Sequence, residues 1–102
     1  MDEEISYAQI SNSFILLMVL NETKTALTAG QISEIIAQKS NGSLYRVPST
    51  LRDALEYRLK REGLVEDEII ASRSSPKVSR YSITPKGQKL LQGWIAFLSA
   101  FQ

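Results

Sequence analysis

The side chains able to do chemistry in this 102-residue chain are unevenly chosen. There is no His and no Cys. That removes the commonest general base, thiolate nucleophiles, disulfides and the usual ligands of transition metals. The acidic cluster Glu66-Asp67-Glu68 reads as strand, where neighbours alternate between faces and do not converge on a cation. No Gly-rich phosphate loop and no nucleophile–base pair is present, so neither an enzyme nor a cofactor is expected. What remains is arginine, lysine and hydroxyl groups in two stretches, "YRVPSTLRDALEYRLKREGLVE" at 45–66 and "SRSSPK" at 72–77. Their chemistry is polyanion recognition. Arg52 can meet guanine in a bidentate way, and the Ser49 and Thr50 hydroxyls can reach phosphate or base edges. Arg46, Lys60, Arg73, Ser75, Lys77 and Arg80 are candidates for phosphate or minor-groove contact.

The net charge of +1 hides this pattern. Residues 1–38 carry a net −4, and residues 39–61 set six bases against Asp53 and Glu56. Residues 62–72 hold four acids and no base, and residues 73–102 hold five bases and no acid. Such blocks are commonly just solvated faces; the elements that carry them decide the matter. Asp53 is the discordant residue, because an acid on a groove-facing helix repels phosphate unless it pairs with Arg52 or accepts from a cytosine.

Those elements follow from local signals. Ile10, Phe14, Leu17 and Met18 recur at helical spacing over about 7–21, and Ile15, Leu16, Val19 and Leu20 make that helix apolar nearly all round, so more than one face is covered. Thr28 and Gln31 form a capping-box pattern for a second helix over about 28–39. Pro48 suits the first position of a third helix over about 48–62, with Leu51, Leu55 and Leu59 as its buried stripe and Gly63 as its stop. Strand formers at Ile69, Ile70, Val78, Tyr81 and Ile83 predict a hairpin, about 64–72 and 78–83, with a flexible tip and the acidic strip facing away. Thr84 and Pro85 open a last helix running to about 100. Residues 1–5 are expected to be loose.

Helix, helix, helix, two-stranded hairpin, helix is the plan of a winged helix-turn-helix, a mainly α (α+β) fold. In it the third helix enters the DNA major groove and the wing, here about 72–78, touches the backbone. The whole chain, 1–102, then forms one winged-helix domain. Its residues also resemble a family. "STLRDALEYRLKREGLVE" followed by "PKVSRYSITPKGQKLL" looks like the PadR-type and, more distantly, the MarR-type winged-helix transcription regulators. The family's Leu-x-x-x-Gly-Leu ending corresponds to Leu59–Leu64, and its Tyr-x-Ile-Thr-x-x-Gly to Tyr81–Gly87. "FILLMVL" is similar to the apolar first helix of PadR proteins, and the resemblance spans about residues 13–92. The chain departs from the pattern twice: Arg52-Asp53 stands where the family has Tyr-Pro, and the helix leucines match only after a one-residue slip. The resemblance implies a cytoplasmic, dimeric, DNA-binding repressor or activator, paired through its last and first helices.

The last helix, 84–101, is accordingly expected to dimerise. Trp94, Phe97 and Phe101 exceed what a short terminal helix needs to stay docked, and exposed they would form an apolar patch; Leu91, Trp94, Ile95, Leu98 and Phe101 are the residues expected at the dimer contact. A twofold partner bringing Phe14 and Met18 would cover them; completing the protomer's own core is the other outcome. Gly93 fits a close helix crossing. The longest apolar run, Phe14–Leu20, is too short to span a bilayer, and the acidic start is unlike a signal peptide, so a cytoplasmic protein without membrane contact is expected. The expected partners are double-stranded DNA and a second copy, with a small effector, if any, between the dimer helices. The rival reading is a winged-helix protein–protein interaction module without specific DNA binding, since a fold does not fix a function.

Overall fold

The computed structural model describes the backbone of residues 2–72 and 75–101, and side chains within 12–70 and 77–101. Among the described residues seven elements follow one another: α1 Asp2–Thr23, α2 Ala29–Lys39, α3 Pro48–Ala54, a π-helical turn Leu55–Leu59, β1 Val65–Ser72, β2 Ser75–Ile83 and α4 Pro85–Ser99. The helix begun by α1 reaches back to Asp2, where a loose start was expected.

The capping box forms as its residues dictate. Thr28 Oγ1 accepts from the Gln31 N–H at 3.1 Å, and Gln31 Oε1 accepts from the Thr28 N–H at 2.9 Å. At the other end of the domain, Thr84 Oγ1 accepts from the Gly87 N–H and donates to the Gly63 carbonyl. One hydroxyl thus caps α4 and pins it to the end of the preceding helix.

The third helix departs from the expected regular one. After Ala54 it widens, and the Lys60 N–H donates to the Leu55 carbonyl, five residues back. The leucine spacing explains this. In an α-helix, eight residues from Leu51 to Leu59 overshoot two turns by about 80°. A wider turn takes up the surplus, so Leu51, Leu55 and Leu59 all stay buried on one stripe. Gly63, at φ +75, ends the element in the left-handed region.

The two strands pair antiparallel from Val65↔Ile83 to Ser72↔Ser75, with an irregularity between Ile70 and Ser72. Between Ile70↔Val78 and Ser72↔Ser75, Pro76 and Lys77 oppose only Ala71, so β2 bulges there. Proline has no N–H to give a ladder and is tolerated at a bulge of a two-stranded sheet. The second strand therefore passes the expected start at Val78 and reaches Ser75. The tip residues Arg73 and Ser74, including the expected flexible tip itself, lie outside the described residues. One feature had no local signal: Leu27 and Tyr81 exchange backbone hydrogen bonds at 2.8 and 2.9 Å, forming a bridge beside the hairpin.

The core gathers Leu16, Leu17 and Leu20 of α1, Ile32 and Ile36 of α2, the leucine stripe of the third helix, Leu64, Val65, Tyr81 and Leu91. Gly87 lies where α4 starts against Leu64; a Cβ there would run into the Leu64 carbonyl oxygen and come within 2.8 Å of Ile83 Cγ1. The glycine of the Thr-x-x-Gly pattern is thus a close-approach position. Among the described residues no helix is long and apolar enough to cross a membrane.

Candidate nucleic-acid interface

With Leu51, Leu55 and Leu59 buried, the remaining faces of the third helix are fixed by geometry. Ser49, Thr50, Arg52 and Asp53 are exposed at its start, and Tyr57 follows, 71% exposed. Arg52, Glu56 and Lys60, four apart, run along the flank that meets the hairpin. Arg52 opens onto a groove of about 560 Å³ between this helix, the start of α2 and β2, which Lys77 and Ser79 line from the wing side. Two cations from separate elements thus face one cleft.

The same flank holds the wing in place. Tyr81 is buried, and its hydroxyl donates to Glu56 Oε2 at 2.6 Å. Burial, then the hydrogen bond to the Glu56 carboxylate, push the phenol up to about 12. Lys60 Nζ lies 3.4 Å from Glu56 Oε1 and 3.1 Å from Asp67 Oδ2. The hydrogen bond to Asp67 is the main reason its ammonium titrates above the ordinary lysine range. Lys60, expected to meet DNA, is therefore engaged in joining the third helix to β1. The acidic strip is split rather than turned away: Asp67 shares the inner face with its partner Tyr81, while Glu66 and Glu68 fall on the other.

The loop before the third helix is tied down as well. Ser33 Oγ donates to the Arg46 carbonyl at 2.6 Å, and Arg46 Nε donates to Asn12 Oδ1 at 2.8 Å. Arg46 thus fastens the helix entry to α1, and Tyr45 beside it is exposed. On the wing, Lys77 and Arg80 are exposed. Arg80 sits across the ladder from Glu68, on the face opposite Tyr81. Arg73 and the side chain of Ser75 lie outside the described residues.

The apolar residues of α4 and of the turn after it divide into two groups. Leu91 is fully buried in the protomer's own core, so its side chain is spent there and not on a partner. Trp94 is half-buried, its ring centroid 6.0 Å from that of Phe14. Ile95, Leu98 and Phe101 are exposed, and so is Phe97, which meets Phe101 edge-on at 5.0 Å. Within the protomer nothing lies within 4 Å of a Cβ built at Gly93, so the close crossing expected there is not within the protomer among the described residues. Phe14, Met18, Ile35 and Leu44 line an apolar groove of about 480 Å³ between α1 and α2.

Sequence reasoning missed the Tyr81–Glu56 latch, which joins residues 25 apart, and it undervalued Tyr57. The signal for Tyr57 was its spacing of two from the leucine stripe, which sets it on the outermost side of the helix.

No family model matches the chain, and no curated protein matches it in sequence. Solved structures do. A PadR-like transcription factor from Bacteroides fragilis superposes with a TM-score of 0.87 at 22% identity, over 99% of this chain and 92% of that one. A PadR family transcriptional regulator from Eggerthella lenta gives 0.73 at 17% identity, over 98% and 83%. Bacillus subtilis PadR, solved in complex with operator DNA, gives 0.70 at 18% identity, over 81% of this chain and 45% of that one. The order of elements, the wing and the latched third helix, together with these superpositions, give the chain the PadR-like winged-helix fold.

Proposed function

We propose that this chain is a sequence-specific DNA-binding transcriptional regulator that acts in the cytoplasm as a homodimer, each protomer being a single winged-helix domain. The observation that carries the reading is the pairing of Arg52 and Lys77, from the third helix and the wing, across one open groove beside an exposed helix start. Phosphate contacts fix a protein on the duplex, and base-edge contacts specify sequence. The third helix enters the major groove with Ser49 and Thr50 at its leading end, while Lys77, with Arg73, Ser75 and Arg80, follows the backbone at the wing. Arg52, on the flank, meets the groove wall. Lys60 and Arg46 serve the site by holding wing and helix entry. Bacillus subtilis PadR, with a similar fold, was solved on operator DNA, which supports the reading.

In the proposed dimer, Ile95 and Leu98 of α4, Phe101 just beyond its end, and the Phe14–Met18 surface of α1 form the twofold contact, with Trp94 at its edge. The exposed apolar face of α4 also suits a second reading, a module that docks another protein. Fluorescence anisotropy with duplexes from upstream of the chain's own gene separates the two. Saturable binding to one sequence, two protomers per duplex, supports the regulator; absence of binding at low salt supports the docking module.

A further inference from the structure

On an α-helix a residue two positions from another lies about 200° round the axis. Ser49, Asp53 and Tyr57 stand in that relation to the buried Leu51, Leu55 and Leu59, and all three are exposed. They form the outermost ridge of the third helix. Arg52 is only about 100° from Leu51, over the groove that it shares with Lys77. A helix lying in a major groove turns its outermost ridge to the base edges and its flanks to the sugar–phosphate walls. The middle of the ridge is therefore the position that reads sequence, and it holds an aspartate.

The chemistry of that aspartate narrows what it can read. An ionised carboxylate only accepts hydrogen bonds, and among the described residues no hydrogen bond or ion pair takes up Asp53. Near phosphates it is repelled, so it fits only where donors face it. In the major groove guanine offers two acceptors and thymine an acceptor and a methyl group. Adenine offers the N6 donor, but its N7 lone pair lies where the second carboxylate oxygen would sit. Cytosine offers the N4 donor with no acceptor beside it on the same base. Resting on the DNA-binding reading above, we infer that Asp53 is a specificity-determining residue that accepts a hydrogen bond from the N4 amino group of one cytosine in each half-site. It also rejects guanine and thymine by repulsion, a negative element of specificity.

The test uses the full chain. Wild-type protein selects duplexes from a randomised library of about 30 bp, and anisotropy then measures binding to the selected sequence and to its three single-base-pair substitutions at each half-site position. One position should prefer C·G by about tenfold. Asp53→Ala should flatten that position while leaving the ranking elsewhere and the salt slope intact. Asp53→Asn should turn the preference to A·T, because an amide matches adenine N6 and N7 together. Circular dichroism melts check that both variants fold, as an exposed site should allow. If both variants keep the wild-type ranking at every position, or lose affinity equally for all duplexes, Asp53 does not read a base, although the chain still binds DNA. If wild type selects no sequence at all, the DNA-binding reading fails, and this one with it.

Discussion

The Tyr81 hydroxyl donates to Glu56 Oε2 across 2.6 Å, latching the second strand of the wing to the third helix one turn beyond Arg52. Lys60 extends the latch to Asp67 on the first strand. Both strands of the wing are thus tied to the helix beside the groove that Arg52 and Lys77 line.

The latch makes stability depend on pH in a defined window. Tyr81 titrates near 12 when folded, against about 10 when unfolded. The folded state therefore holds the proton more tightly. Its contribution is complete below about pH 10 and is lost as pH rises from about 10 to 12. Lys60, also raised, acts in the same direction. Thermal melts between about pH 8 and pH 11.5 should show wild type losing stability faster than Tyr81→Phe above pH 10. Parallel losses would mean that burial and Glu56 together do not hold the phenol proton more tightly in the folded state.

Replacing Gly87 by Ala should destabilise the domain by about 3 kcal/mol, the upper end for overpacking, because the new methyl group meets the Leu64 carbonyl and Ile83. Urea denaturation measures this directly. A loss below about 0.5 kcal/mol, the level of an ordinary surface change, would show that α4 does not start so close to Leu64.

Thr28→Ala removes one half of the capping box at α2. The expected cost is about 1 kcal/mol, or about 4–8 °C in Tm. Thr28→Ser should recover most of it, since the hydroxyl is what accepts the Gln31 N–H.

Leu98 and Leu91 separate the proposed interface from the core. Leu98→Asp alters a residue 51% exposed in the protomer; it should leave the circular dichroism spectrum unchanged and halve the mass found by light scattering. Leu91→Asp places a charge in a fully buried site and should unfold the chain. An unchanged mass for Leu98→Asp would remove α4 from the dimer contact.

Much of this fold is legible in the residues because its signals are local. Thr28 with Gln31, Pro48 after Val47, Gly63, and Thr84 with Pro85 each specify a helix end within a few residues. What escaped is non-local. The Leu27–Tyr81 bridge and the Arg46–Asn12 hydrogen bond join distant segments that no period announces. The π-helical turn escaped because a spacing of four suits an α-helix and a wider one alike; the hydrogen bond from the Lys60 N–H to the Leu55 carbonyl tells them apart. For the candidate site, the sequence singled out Arg52 and Lys77 on charge, and the structure places them on one groove. It did not show that Lys60 is tied to Asp67, since an acid seven residues away becomes a neighbour only when the wing folds back.

In the proposed complex Arg52 and Lys77 meet the DNA backbone from two sides of one groove. The most direct measurement of this is the salt dependence of binding to a selected duplex, for wild type and for Arg52→Ala and Lys77→Ala. Each substitution removes one phosphate contact per protomer, so in a dimer each should flatten the plot of log K against log salt by about two units. Slopes for both variants that match wild type would contradict the claim.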